Sequence, residues 1–344
     1  MRSIICKYVS LTCVLVGLVH SEEALVTVEK VTEPYGLSEG PHWEHRTQKL
    51  YFVDIYNQYI RRLDTATGVV TSAYVEHGPV GVVVPVDDTS DELAVGSGKD
   101  LILVTWEGDV DTKKVPFKVL TSIESSSSDT RVNDGKVDSS GRFWIGTMGN
   151  EKVNGDVPPK RGSLYRIDDT LEPKKEISPV TISNGLVWNI EDNTFYYIDS
   201  PTRQIAAYDY DPNNGTISNK RIVFDLNKIN MEGVPDGMTI DTDGNLWIAV
   251  YGGHHVIHVN PKTQKLLKKV KIPAENVTSV TFGGPLLDIL YVTTAGHNLS
   301  AEQRKKTPYA GSVFAVKGLG VYGNIANSFM LNGRKQSDEE KTDV

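Results

Sequence analysis

Four short motifs place an oxygen-bearing side chain directly before a glycine: Glu39-Gly40, Asp134-Gly135, Asn184-Gly185 and Asp236-Gly237. Carboxylate and amide oxygens without His or Cys select a hard cation, Ca2+ first, then Mg2+ or Mn2+, with Zn2+ the remaining option. Two carboxylates neutralise a divalent charge. A shell left incomplete by the chain has room for water and substrate, which suits Lewis-acid catalysis. The competing use is a metal that only pins parts of the fold together. An Asp-Gly or Asn-Gly pair is also a common hairpin turn, so the motifs carry chemistry only if the fold gathers them.

The elements that would gather them repeat along the chain. Aromatic or β-branched runs begin near positions 51, 93, 143, 195, 246 and 290, at spacings of 42, 50, 52, 51 and 44 residues. Each is short, rich in β-formers and bounded by Gly, Asp or Asn, as strands are. A second run follows every anchor, at 59–63, 101–106, 164–167, 205–210, 256–259 and 313–316. Insertions lengthen the third and sixth gaps, at 148–162 and 295–311. A tight turn and a further strand precede each anchor. Six such units predict an all-β, six-bladed β-propeller with four-stranded antiparallel blades. Residues 26–31 are expected to pair with the last blade and close the ring.

The first strand of each unit would line the central channel. The four motifs precede their anchors by 12, 9, 11 and 10 residues, and the second and sixth copies offer Gly81 and Ser279 at that phase. Inner strands of a propeller all start on one face, so Glu39, Asp134, Asn184 and Asp236 should converge at one mouth. Glycine after each permits close backbone approach where strands crowd the axis. Asp243-Gly244, in contrast, sits between paired strands and reads as a turn.

The sequence resembles the senescence marker protein, regucalcin and gluconolactonase family, which includes insect luciferin-regenerating enzymes. The matching motifs are Ser38-Glu39-Gly40-Pro41-His42-Trp43, Arg131-Val132-Asn133-Asp134-Gly135-Lys136, Gly146-Thr147-Met148, Ile182-Ser183-Asn184-Gly185 and Pro235-Asp236-Gly237-Met238. The resemblance spans roughly residues 33 to 325. It implies one divalent metal ion on Glu39, Asn184 and Asp236, substrate contacts from Arg131, Asn133 and Glu151, and Asp236 as general base. The implied activity is hydrolysis of a small-molecule lactone, most often a sugar lactone. A non-catalytic calcium-binding propeller is the alternative from another class, and a luciferin-regenerating role a narrower one. Arg131, Asn133 and Glu151 beside the ligands favour an enzyme, because metal binding alone does not need them.

Residues 1–21 carry Arg2 and Lys7 around an apolar run ending in small Ser21, the pattern of a cleaved secretory signal peptide. Cleavage would remove two basic and no acidic residues, taking the charge from -8 to -10, and with them Cys6 and Cys13, the chain's 2 cysteines. The secreted chain would then have no disulfide or thiolate, and no membrane insertion. Sequons at Asn214, Asn276 and Asn298 are compatible with that route. The acidic balance argues against a generic nucleic-acid binder, and the expected form is a monomeric propeller over 22–332 with a polar tail at 333–344. The Asp241-x-Asp243-Gly244 run lacks the Glu that ends an EF-hand loop and reads as a turn. His254, His255 and His258 read as a loop followed by a strand, and residues 125–128 as a flexible loop leading toward Arg131.

Overall fold

The computed structural model describes residues 25–125, 127, 129–152 and 155–331. The leader at 1–21, the tail at 333–344 and half of the serine run at 125–128 lie outside these. Six four-stranded antiparallel sheets follow one another around a ring, forming a six-bladed β-propeller. Five blades are built from consecutive strands. In the sixth, Thr27–Lys30 supplies the outermost strand, pairing Thr27 with Lys317 and Lys30 with Phe314. This closure lets the start of the chain satisfy the open edge of its last blade.

Each of six core clusters lies between two neighbouring blades. The first two strands of each blade therefore bury both faces, which is why they read as near-continuous apolar runs, whereas outermost strands such as Thr216–Asp225 are largely exposed. Trp43, Trp144 and Trp247 are fully buried. Two of them share a device: Trp144 Nε1 donates to Asp138 and Trp247 Nε1 to Asp241, each at 2.9 Å. Asp241 also takes the backbone N–H of Asn245 and faces His258 at 2.8 Å. The EF-hand-like run is thus a turn whose first carboxylate is committed to the core, and His258 is a buried strand residue.

The inner strands are Ser38–Glu44, Val80–Pro85, Thr130–Val137, Ser183–Trp188, Val234–Ile240 and Asn276–Gly283. Every one of them breaks register against its neighbour near its start, between Glu39 and His42 in the first blade and Asn184 and Leu186 in the fourth. A bulge of this kind re-aims side chains and sharpens twist, and the glycine-following motifs sit on it. Crowding explains the glycines: a Cβ on Gly81 would lie 2.5 Å from Asn133 O, and one on Gly185 2.6 Å from Asp236 O.

The far end of the channel is crossed by the chain's last described segment. Thr242 N donates to Tyr322 O at 2.8 Å, Phe329 N to Pro85 O at 2.9 Å and Met330 N to Gly141 O at 3.1 Å. The strap thus ties blade five to blades two and three, with Phe329 buried against Phe143. A short helix, Ala301–Lys306, occupies the sixth-blade insertion. No helix among the described residues is long and apolar enough to cross a membrane.

Gly185→Ala is expected to cost about 1–3 kcal/mol through overpacking against the Asp236 backbone. Urea unfolding would show a lower midpoint; an unchanged midpoint would mean that the axis is looser than described.

Candidate functional site

One cavity of about 270 Å³ opens at the end of the channel where the inner strands begin, and Glu39, Arg131, Asn133, Glu151, Asn184 and Asp236 all line it. Asp134, the fourth candidate from the repeat, does not. It lines a narrow space further down the axis with His42 and Lys136. Successive strand residues point to opposite sides, and on Thr130–Val137 it is Asn133 that reaches the mouth.

The two acids at the mouth are buried, Glu39 with 5% and Asp236 with 8% of their surface exposed. Burial first, then the charges of Asp236 and Asp134, push the Glu39 carboxyl well above its usual range. Burial and Asp134 do the same to Asp236. Gly40 N–H donates to Glu39 Oε2, but Glu39 Oε1 is buried without a hydrogen-bond partner. An orphaned oxygen of this kind costs on the order of 1–3 kcal/mol. Among the described residues no three His, Cys, Asp or Glu side chains are grouped to hold a metal ion. A cation here therefore needs the amide oxygen of Asn184 beside Glu39 and Asp236.

Asn184 is oriented for that use. Its Nδ2 donates to Ser200 Oγ at 2.7 Å, and its Oδ1 accepts from Asn133 Nδ2 at 2.9 Å, keeping a second lone pair. Two carboxylates, a neutral carbonyl oxygen and an unsatisfied buried acceptor fit a hard divalent cation with part of its shell left open.

Asn133 couples this group to its neighbours. Its Oδ1 accepts from Arg131 Nη1 at 2.9 Å, and Arg131 Nη2 donates to the Tyr56 hydroxyl at 3.2 Å. The Arg131 guanidinium also lies over the Tyr56 ring, 5.3 Å from its centroid. Tyr56 in turn donates to Glu151 Oε2, while Asn298 Nδ2 donates to Glu151 Oε1 at 3.1 Å. The lengthened connections of the third and sixth blades thus meet at the rim. Tyr56, Ser200 and Asn298 were not among the site residues expected from the sequence. Tyr56 follows its anchor strand outside the repeat phase, and Ser200 carries no motif. Asn298 stood out only as a sequon.

A family model described as "SMP-30/Gluconolactonase/LRE-like region" matches residues 37–296. The chain belongs to this family. It is similar to regucalcin of Xenopus laevis, 38% identical over 299 residues that cover 87% of this chain and 96% of the relative. Among solved structures it is similar to a luciferin-regenerating enzyme, with TM-score 0.83 and 37% identity over 89% of this chain and all of the other. A calcium-binding protein, regucalcin from Agrobacterium tumefaciens, shares the fold at TM-score 0.79 and 22% identity, covering 89% and 98% of the two chains. All six residues expected at the site fall within the region matched to the SMP-30/gluconolactonase family.

Below the mouth, burial and then the charge of Lys136 lower the His42 pKa to about 4 from 6.5. The unfolded chain therefore binds the extra proton first as pH falls. The stability that neutral His42 contributes is present above about 6.5 and is lost as pH falls toward 4. The difference in unfolding free energy between the protein and its His42→Gln variant should shift across that window. A difference that stays flat between those values would contradict this.

Proposed function

We propose that this chain hydrolyses the ring of a small polar lactone in the mouth cavity, using a divalent metal ion, Ca2+ by preference, on Glu39, Asn184 and Asp236. The observation that carries the reading is the buried Glu39 Oε1 without a hydrogen-bond partner, on a side chain that lines the same cavity as Arg131 and Asn133. Membership of a family whose description includes gluconolactonase supports it.

A cation bound there would supply Lewis acidity toward the lactone carbonyl. Arg131 and Asn133, fixed to each other and to Asn184, orient the ring from one side. Asp236 takes a proton from the attacking water and returns it to the ring oxygen as the acyl C–O bond breaks, leaving a hydroxy acid. Burial and Asp134 raise the basicity of Asp236, whereas coordination lowers it. Its competence as a base depends on the balance of the two. The narrow channel below and the strap across the far end leave the mouth as the approach for substrate.

A second reading, calcium binding without turnover, is favoured by how Arg131 spends its donors: Nη1 and Nη2 are already engaged with Val132, Asn133 and Tyr56. The likeness to a luciferin-regenerating enzyme places non-sugar substrates in the test as well.

Purified protein supplied with Ca2+, Mn2+, Mg2+ or Zn2+ is expected to open at least one ring in a broad lactone panel. Asp236→Ala should lower kcat/KM by about 100-fold or more, the scale of general-base catalysis, with the circular dichroism of the propeller kept. Tight Ca2+ binding by calorimetry with no turnover under any metal would replace this reading with the second.

A further inference from the structure

We propose that Asn298 carries an N-linked glycan at the rim of the mouth cavity, that Asn214 carries another on the opposite face, and that the Asn276 sequon stays bare. The proposal rests on reading residues 1–21 as a secretory leader. All three triplets offer the Asn-x-Ser/Thr pattern, at Asn214-Gly215-Thr216, Asn276-Val277-Thr278 and Asn298-Leu299-Ser300. Their surroundings separate them.

Asn276 opens the inner strand of the sixth blade, 7% exposed, and pairs with Ala295. Its sequon hydroxyl, Thr278, is 1% exposed and bonded to Ser38 O at 2.6 Å and Thr293 Oγ1 at 2.8 Å. A sugar on this amide would have to displace an inner strand, so a chain bearing one could not close the sixth blade. Asn214 and Thr216 are both exposed. Asn214 lies in the turn between Gln204–Asp211 and Thr216–Asp225, at the end of the blade away from the mouth.

Asn298 is exposed, as is Ser300, on a turn where its backbone takes a φ of 60°. The only hydrogen bond of its side-chain amide among the described residues is the 3.1 Å bond to Glu151. In the transfer, the amide nitrogen forms a bond to the anomeric carbon of a lipid-diphosphate-linked oligosaccharide. The sugar–phosphate bond breaks, the lipid diphosphate leaves with its electron pair, and one amide proton passes to a base of the transferase. Nδ2 retains one N–H. The contact with Glu151 can therefore survive, holding the first sugar beside a residue that lines the cavity.

The full chain, produced in insect cells, would be purified from the medium and treated with a glycan-releasing amidase that converts each occupied Asn to Asp. Peptide mapping is expected to show conversion at Asn298 and Asn214 and an unmodified Asn276. Asn298→Gln and Ser300→Ala should each remove one glycan's mass; Ser300→Ala keeps the Asn298 amide, so failure of one variant to fold leaves the other to decide. A secreted, leader-free chain with Asn298 unconverted would overturn the proposal while leaving the secretory reading intact. So would a folded chain glycosylated at Asn276. A chain retained in the cells with residues 1–21 attached and no glycan would overturn both.

Discussion

Two carboxylates share one mouth, out of water, where burial opposes ionisation of both and the charge of Asp236 opposes that of Glu39 further. Glu39 and Asp236 come from different blades, and neither is placed there by a loop that could yield: each sits on an inner strand at a bulge. Moving either away would mean shifting a strand packed on both faces. The fold therefore holds an unfavourable charge arrangement in place. Arg131 does not relieve it, because its guanidinium is directed to Asn133 and Tyr56. A hard cation is the group whose charge and ligand preferences answer that arrangement.

The mouth and the far end of the channel are finished by different means. At the mouth, Tyr56, Glu151 and Asn298 bring the first, third and sixth blades together through side chains, so the rim is polar. At the far end the closure is made largely by backbone, with Phe329 as its apolar anchor. His42 lines both the axial space and the cavity beneath the strap. Between them, Lys136 donates to Met238 O at 3.0 Å and feels the charges of Asp134 and Glu39, so the channel interior holds a buried amine. The open cavity and the structural closure thus lie at opposite ends of one axis.

Much of this was legible because propeller blades repeat. The anchors at 51, 93, 143, 195, 246 and 290 each fall in or beside a second strand, and residues 26–31 contain the closing strand Thr27–Lys30. The glycine-following motifs were legible as a phase, and the structure supplies the reason, since each coincides with a register break. The repeat alone could not rank Asp134 against Asn133, because a one-residue step across a bulge decides which reaches the mouth. Asn184 and Ser200, or Tyr56 and Glu151, meet only through tertiary contacts, so no spacing announces Tyr56 or Ser200. The strap was hidden for the opposite reason. Residues 321–331 have no periodic pattern, and their order comes from backbone bonds to turns of blades two, three, five and six.

The account turns on the Glu39–Asp236 pair needing a cation, and thermal unfolding of the stripped and Ca2+-loaded protein tests it most directly. With chelator, Glu39→Gln should unfold at a higher temperature than the native protein, because it removes a buried carboxyl whose ionisation burial and Asp236 oppose. With Ca2+ at 100 times its Kd, the native protein should gain about 2.7 kcal/mol, and the order of the two should reverse. A native protein that gains nothing from Ca2+, or a Glu39→Gln variant that gains as much, would contradict the account.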